Sequence, residues 1–416
     1  MLSLFAGRKS RLVPVTLEAG SEAERTPTQG LIVVNYELGA ERACEAALEV
    51  VVAGVRQPVF RKAVSLAPDQ PQRGWFALHG HLLPNGPATV TLRLVDGRTV
   101  LGERALSVQV RNEGETARLV TNSLRASGAP AAFDGVCDST LYDYADPSLA
   151  AWFDQAPEAV EARLADLAAR GEASAEEIAA LRHFVDEGYM VLPARIEPEH
   201  LARLNAALDD AVERKVEGYE WGASQRLHNL HLTYPAIREL WLHPQILRML
   251  ALVFGEPAKP CQSLSYVFGS EQQYHQDVIH LTPFPAGRMC GVWTALEDVQ
   301  PGSGELLVYP KSHKLNRVYM ASVGAAKVGE DWTEFGETVA RRWGEMIEAN
   351  DLGREVYRPK AGEVLIWHEN LMHGGVVRQD KAKSRRSIVG HYFANGTIVY
   401  FDSSGLPGGV HEGEAA

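Results

Sequence analysis

A change in hydrophobic periodicity divides this chain into two parts. Before about residue 111, short β-rich runs alternate with turn sequences such as Pro84-Asn85-Gly86 and Asp96-Gly97. The predicted strands are Leu12–Leu17, Leu31–Tyr36, Ala46–Val55, Trp75–Leu83, Thr89–Val95 and Ala105–Val110. Short strands at this spacing are typical of an antiparallel β-sandwich. We therefore predict an all-β, immunoglobulin-like sandwich domain over residues 1–111.

Beyond this boundary the hydrophobic period lengthens to that of a helix. Residues 112–173 form a predicted connector that contains a helix at Ala156–Arg170, and Ser174 with Glu177 is a plausible capping box for the next helix. The further predicted helices are Ser174–Glu187, Glu199–Lys215 and Ile237–Phe254, the last being one buried helix or a pair. The segment 174–416 thus begins as a helical region.

Strand patterns return from Ser263 onward. The predicted strands are Ser263–Gly269, Met289–Leu296, Glu305–Tyr309, Glu363–Trp367 and Ser387–Phe393, interrupted by a helical stretch near Asp331–Asn350. Helices followed by a β core indicate an α+β domain built around a double-sheet barrel. We place this domain at residues 174–416.

The connector leaves two arrangements open. Its start, Asn112–Glu115, is polar enough for a linker, so a chain that begins near Ala156 would fold by itself. The connector also contains the aromatic residues Phe133, Tyr142, Tyr144, Trp152 and Phe153. Because exposed aromatic clusters usually mark contact surfaces, the alternative is that the connector packs onto the barrel domain.

Charge and cysteine usage limit the function classes. There are 41 Lys and Arg against 53 Asp and Glu, and the net charge of −12 disfavours general attraction to nucleic acid or anionic lipid. The four cysteines are widely spaced without a C-x-x-C pair, which fits reduced thiols. Met1–Gly7 is too short an apolar run for a signal peptide, and no later run suits a membrane span. We expect a cytoplasmic protein.

One sequence pattern suggests a metal site. His275-Gln276-Asp277 is the only place where a histidine is followed two residues later by a carboxylate. In extended backbone these two side chains project to the same side and can converge on one ion. A 2-His-1-carboxylate triad needs a second histidine and leaves three positions of Fe(II) open. His373, which follows the apolar strand ending at Trp367, is our candidate.

A basic pair lies twelve residues beyond His373. In a strand, Arg385 and Ser387 face the same side and offer a guanidinium fork and a hydroxyl to a carboxylate, such as the distal carboxylate of 2-oxoglutarate. Arg386 would face the opposite side. The choice between the two arginines therefore depends on the phase of the strand.

These stretches resemble the phytanoyl-CoA dioxygenase (PhyH-like) family of Fe(II)/2-oxoglutarate-dependent oxygenases. The resemblance covers about Ile178 to Phe393, and the sandwich lies outside it. The matching stretches, besides those of His373 and Arg385, are Phe184–Pro193, Tyr274–Asp277, Val292–Asp298, Gly304–Leu306 and Pro310–Lys314. Their order and spacing all agree with the family.

The resemblance implies a fold, a ligand set and a reaction class. It implies a double-stranded β-helix, or jelly roll, with flanking helices, in which His275, Asp277 and His373 hold iron. It further implies that Arg385 anchors 2-oxoglutarate, and Trp293 matches a family position beside this cosubstrate. The expected activity is that of a dioxygenase which uses O₂ to hydroxylate an unactivated C–H bond of a small-molecule, lipid or glycan-type substrate. Desaturation, epoxidation and ring formation are the open alternatives to hydroxylation.

Other histidines near the site receive simpler interpretations. His280 lies at odd spacing from Asp277, on the other face of a strand, which suggests a substrate-pocket or structural role. His368 is a weaker alternative ligand, because it would leave His373 and Arg385 unexplained. The remaining expectations are that His313 stabilises its turn, His391 packs in the sheet, and Trp367 and Tyr274 are core or pocket-wall aromatics.

A non-enzymatic function is the main alternative. In this hypothesis the sandwich binds a glycan or a partner, and the barrel is a PhyH-like scaffold without turnover. Its weakness is that all expected ligands are present in the sequence. Decarboxylation of 2-oxoglutarate with added Fe(II) would separate the two hypotheses, since an inert scaffold would show none.

Overall fold

The structure, a computed structural model, describes residues 13–193, 195–223 and 225–411. Leu12, the predicted start of the first strand, and the segment Met1–Gly7 lie outside these residues. The chain divides into two compact units, which we call the sandwich unit (up to Asn112, with Gly128–Gly135) and the barrel unit (Glu113–Ser127, and from Val136 on). Among the described residues, none of the helices has both the length and the apolar composition needed to span a membrane.

The sandwich unit is all β, as predicted. Its strands are β1 (Val15–Gly20), β2 (Leu31–Ala40), β3 (Cys44–Val52), β4 (Phe60–Leu66), β5 (Gln72–His79), β6 (Gly86–Asp96), β7 (Thr99–Val110) and β8 (Ala132–Asp134). Within the described residues they form two antiparallel four-stranded sheets, ordered β1-β2-β5-β8 and β4-β3-β6-β7. Side chains from both sheets, including Ile32, Phe76 and Leu92, bury into one core.

Strand β4 was not predicted from the sequence, and its composition explains why. It contains the exposed residues Arg61 and Lys62, so its apolar alternation is weak. The strand lies at the edge of its sheet and pairs only with β3 among the described strands. Charged side chains are common on edge strands because they discourage pairing with other chains.

Most helices of the barrel unit begin and end close to the predicted positions. They are α1 (Glu115–Ser127), α2 (Pro157–Ala169), α3 (Ala175–Glu187), α4 (Pro198–Glu213), α5 (Pro235–Trp241), α6 (Pro244–Phe254), α7 (Thr333–Phe335) and α8 (Arg341–Ala349). The capping box is confirmed, since the Ser174 hydroxyl accepts from the Glu177 amide and the Glu177 carboxylate accepts from the Ser174 amide. The predicted buried segment 237–254 is a helix pair, and its second helix begins at Pro244.

The barrel unit contains a double-sheet jelly roll, which confirms the predicted fold class. Its strands are β9 (Tyr189–Val191), β10 (Leu227–His228), β11 (Ala258–Tyr266), β12 (Thr282–Phe284), β13 (Met289–Ala295), β14 (Leu306–Val308), β15 (Glu355–Tyr357), β16 (Val364–His368), β17 (His373–Gly375), β18 (Ser387–Ala394), β19 (Ile398–Phe401) and β20 (Leu406–Pro407). Over the described ranges the large sheet is ordered β10-β11-β18-β13-β16-β9, and smaller sheets are ordered β15-β14-β17 and β12-β19-β20.

Alternation along the large sheet separates a helix-facing side from an interior side. On β13, Val292 belongs to the core shared with the helices, whereas Trp293 belongs to the interior core. The same alternation holds on β16 for Ile366 and Trp367. Because successive side chains point to opposite faces of a strand, this phase decides which residues reach the barrel interior.

The connector is not the polar linker that its first residues suggested. The segment after Asn112 forms helix α1, which buries Val120 and Leu124 and belongs to the barrel unit. Further along, the Tyr142 ring stacks on Phe284 with 4.7 Å between ring centroids. The Tyr144 hydroxyl donates to the carbonyl of Pro283 at 2.8 Å. Within the barrel unit, the connector therefore packs onto the jelly roll.

We expect a chain that begins at Ala156 to be insoluble or unfolded. Such a chain loses Phe153, which is buried and contacts Phe184 edge to face at 5.4 Å. It also uncovers the aromatic surface under Tyr142 and Tyr144. In the full chain, Phe153→Ala alone should cost about 3–5 kcal/mol, measured by denaturant unfolding. A soluble truncated chain with a cooperative thermal transition would contradict this expectation.

Candidate metal centre

A cavity of about 590 Å³ opens inside the jelly roll. It is lined by interior side chains of the large sheet and by residues that follow β11 and precede β18. The lining includes the candidate ligands, Arg385 and Trp293, and also Arg226, Gln262, Tyr266, Tyr274, His280, Trp332, Phe335, Trp343, Trp367 and His391. The structure thus brings five of the six predicted site residues to one cavity; Ser387 is considered below.

The three candidate ligands converge. His275 and His373 are joined by two backbone hydrogen bonds, of 2.9 and 3.1 Å, which hold the two segments side by side. Nε2 of His275 lies 3.3 Å from Oδ1 of Asp277, and Nε2 of His373 lies 3.7 Å from the same oxygen. All three side chains are buried, and one ligand atom from each lies within 4.8 Å of the others. They can contact a single ion.

Each histidine presents the correct nitrogen. Nδ1 of His275 donates to the carbonyl of Gln273 at 2.9 Å, and Nδ1 of His373 donates to the carbonyl of Leu371 at 3.0 Å. A proton held on Nδ1 leaves the lone pair on Nε2, which is the atom that faces Asp277. Such backbone partners fix the tautomer and orientation of metal-binding imidazoles.

The electrostatics of the triad favour a cation. Burial lowers the pKa of His373 to about 4, so this imidazole is neutral at pH 7. Burial alone would raise the pKa of Asp277, but attraction to His373 and the other facing imidazoles brings it well below the usual value. Asp277 is therefore a buried carboxylate that is negatively charged at pH 7, beside the neutral ring of His373. Two histidines and one carboxylate are the donor set of a non-haem Fe(II) site, and the residues present fit this ion.

Arg385 supplies the opposite charge in the same cavity. Its side chain is 3% exposed, and its guanidinium carbon lies 5.5 Å from the ring centroids of both Tyr266 and Trp293. Burial lowers its pKa to about 10, so the group still carries its charge at pH 7. Among the described residues, no acidic side chain forms an ion pair with it, and its Nε has no hydrogen-bond partner. A buried cation that forms no ion pair among the described residues fits a carboxylate ligand such as 2-oxoglutarate.

Arg386 points out of the barrel. Its guanidinium donates to Oδ1 of Asp209 at 2.5 Å and to Asn205 at 3.2 Å, both on α4. Ser387 lies on the Arg385 side of β18 and is fully buried. The Ser387 hydroxyl and the Trp293 indole N–H find no hydrogen-bond partner among the described residues. Trp293 and Arg385 line the cavity, so the indole N–H and Nε are available to a polar ligand there, whereas Ser387 is not among the lining residues.

Two residues make contacts that the sequence did not predict. Trp367, interpreted as a wall aromatic, donates its indole N–H to Oδ2 of Asp277 at 2.8 Å. His391, expected to pack in the sheet, places Nε2 at 3.5 Å from the same oxygen. Strand alternation predicts that both side chains face the interior. It does not predict where Asp277 lies, because that depends on the pairing of distant segments.

The predicted strand position of His280 is wrong. Asp277 begins a 3₁₀ turn, Asp277–Ile279, so the alternation of a strand does not apply beyond it. His280 lines the cavity and stacks on Phe335 with 5.4 Å between centroids. Burial lowers the pKa of His280 to about 3, so this ring is neutral.

His313 and His368 lie away from the triad. Nε2 of His313 donates to the carbonyl of Val185 at 3.1 Å, next to the turn that it was expected to stabilise. His368 accepts from the Asn370 amide through Nδ1, and its Nε2 lies 3.6 Å from Asp154. Neither residue belongs to the cavity lining.

Several solved structures resemble the chain in part. The carbocyclase SnoK from nogalamycin biosynthesis is 22% identical over 59% of this chain and 95% of its own, with a TM-score of 0.47. AviO1 from Streptomyces viridochromogenes Tue57 is 21% identical over 53% of this chain and 96% of its own, with a TM-score of 0.40. EctD from S. alaskensis is 20% identical over 53% of this chain and 77% of its own, with a TM-score of 0.42. No curated protein matches the chain at a significant level.

The sequence itself matches a family description. Residues 184–386 match the phytanoyl-CoA dioxygenase (PhyH) family. This range holds the three converging ligands and Arg385, and it ends at the start of β18. The similarity to this family therefore lies within the barrel unit and covers just under half of the chain.

Proposed function

We propose that the barrel unit is an Fe(II)- and 2-oxoglutarate-dependent dioxygenase that hydroxylates an unactivated C–H bond. The observation that carries this proposal is the presence, in one cavity, of a buried His-Asp-His site and a buried arginine that forms no ion pair within the described part of the chain. Either feature alone would fit other kinds of site, such as a hydrolytic metal centre or a simple anion pocket. Together they provide for a divalent metal and for a dicarboxylate that binds the metal and the arginine at once.

The chain's own residues would hold the metal through Nε2 of His275 and His373 and through Asp277. With three protein ligands, an octahedral ion keeps three positions for cosubstrate and dioxygen. When bound, iron and 2-oxoglutarate supply the activation of O₂, with release of succinate and CO₂ and transfer of one oxygen atom to the substrate. The protein provides position, charge and exclusion of water.

Arg385 would set the orientation of 2-oxoglutarate. Its guanidinium carbon lies 5.5 Å from the ring centroids of both Tyr266 and Trp293, so two aromatic rings flank the buried cation. A fork held in this way can bind a carboxylate through two parallel N–H groups. The unsatisfied Ser387 hydroxyl follows on the same side of the strand and can provide a further hydrogen bond.

The remaining cavity suits a small-molecule substrate. Its volume lies within the usual range for such sites, and Trp332, Phe335 and Trp343 of the helical insertion form an aromatic wall beside His280. Apart from Asp277, no acidic side chain is among the described lining residues. Natural-product, lipid and glycan-type substrates fit this description. A cytoplasmic location, proposed from the cysteines, would keep Fe(II) in a reducing compartment.

The proposal predicts slow turnover of 2-oxoglutarate without any added substrate. Purified protein supplied with Fe(II), 2-oxoglutarate, air and ascorbate, which supplies the two electrons that a substrate would otherwise give, should form succinate, measured by mass spectrometry, and a chelator should stop the reaction. Protein with Asp277→Ala, prepared in the same way, is the matched control and should form none. Absence of succinate from the iron-loaded wild-type protein would instead favour the inert scaffold.

A further inference from the structure

The two carboxylate oxygens of Asp277 face different groups. Oδ1 faces the Nε2 atoms of both candidate histidine ligands, at 3.3 and 3.7 Å. Oδ2 accepts the indole N–H of Trp367 at 2.8 Å, while Nε2 of His391 lies at 3.5 Å. Nδ1 of His391 lies 3.1 Å from the Gln262 amide nitrogen, so a neutral His391 ring carries its proton on the side of Asp277. One oxygen is thus directed to the metal position and the other is held by the protein.

The position of the indole is built into the sheet. Trp367 is 2% exposed, and its ring lies 4.6 Å from that of His373. Gly291 stands directly opposite Trp367 in the pairing of β13 with β16. A Cβ at position 291 would lie 2.1 Å from the indole Cε2, so only glycine leaves room for the ring there. The pairing of β13 with β16 therefore fixes the position of the indole N–H that donates to Asp277.

We propose that Trp367 is a positioning residue that makes Asp277 bind the metal through a single oxygen. A carboxylate that accepts a short hydrogen bond on one oxygen is held in orientation and presents the other oxygen to the ion. This leaves the remaining metal positions to cosubstrate and dioxygen. The inference rests on the metal site proposed above and adds a residue that does not itself contact the ion.

The test replaces Trp367 with Phe, which keeps an aromatic ring but removes the N–H donor. Co(II) is the probe, because it binds similar sites and its absorption spectrum reports coordination. We expect Co(II) to bind about 10–100-fold more weakly by calorimetry, which is the usual effect of removing a partner of a metal ligand. The Co(II) absorption spectrum should also change, whereas the melting temperature of the metal-free protein should report any general loss of stability.

Trp152→Phe is the matched control. It removes another indole hydrogen bond, to the carbonyl of Val253 at 2.6 Å, outside the cavity lining. Its Co(II) affinity and spectrum should equal those of the wild-type protein. If Trp367→Phe does not fold, β-(3-benzothienyl)alanine at position 367 replaces the N–H with sulfur in a ring of nearly the same shape, and the same weakening is expected.

The outcomes separate the two proposals. A wild-type protein that binds no Co(II) would overturn the proposed metal site and, with it, this inference. A wild-type protein that binds Co(II), together with a folded Trp367 variant of unchanged affinity and spectrum, would overturn only the role of Trp367. The role of Trp367 would be supported if the Trp367 variant, but not the Trp152→Phe control, bound Co(II) more weakly and with an altered absorption spectrum.

Discussion

Fe(II) binding and succinate formation should both be lost when His275, Asp277 or His373 is replaced by alanine. Each replacement leaves two ligands in a buried site that needs three. Removal of a group that only hydrogen-bonds to a metal ligand already lowers metal affinity by about 10–100-fold. Removal of a ligand itself should therefore lower the Fe(II) affinity by more than about a hundredfold. Anaerobic equilibrium dialysis with Fe(II) and quantification of succinate are the measurements.

The fold should survive these replacements. His275 and His373 are joined through their backbones, and their side chains contribute no apolar core of their own. His200→Ala is a suitable control, because His200 is also buried but bonds to the carbonyl of Ala236, away from the cavity. Circular dichroism should show all four variants folded. Near-normal turnover by any of the three ligand variants would remove that residue from the proposed site.

Arg385→Ala should raise the concentration of 2-oxoglutarate required for half-maximal turnover by about thirtyfold to several thousandfold. Loss of one partner from a buried, charge-assisted pair costs about 2–5 kcal/mol, which corresponds to this range. The effect should appear in the KM for 2-oxoglutarate, while Fe(II) affinity without cosubstrate stays close to that of the wild-type protein.

Arg386→Ala is the matched control for that prediction. This arginine pairs with the exposed Asp209 outside the barrel, and such surface pairs contribute about 0–1 kcal/mol. The KM for 2-oxoglutarate should therefore change little. A larger effect from Arg386 than from Arg385 would show that the side of the strand used by the cosubstrate has been assigned incorrectly.

Local patterns explain why much of the architecture could be predicted. The sandwich, the capping box at Ser174 and the strands of the jelly roll depend on alternation and turn chemistry, which are visible over ten residues or fewer. The placement of Arg385 inside and Arg386 outside also follows from alternation along the segment that leads into β18. The proposed ligands were found because extended backbone brings His275 and Asp277 to one side.

Features that depend on distant segments could not be predicted. The hydrogen bond from Trp367 to Asp277 requires β16 to pack against a turn that lies 90 residues earlier in the chain. No short sequence pattern predicts that contact. Helix α1 was missed because its first residues are polar, although its buried face is apolar. His280 reaches the cavity because a 3₁₀ turn follows Asp277 in place of an extended strand.

The mutual backbone hydrogen bonds of His275 and His373 have a consequence for the order of assembly. The two residues are separated by 98 positions (373 minus 275), so closing this loop carries a large entropic cost that the sheets must offset before the ligands meet. We therefore expect the proposed ion to enter a barrel that has already folded, unlike the zinc fingers, in which metal binding drives folding. Chelation should accordingly yield a folded apoprotein that regains full metal occupancy when iron is returned.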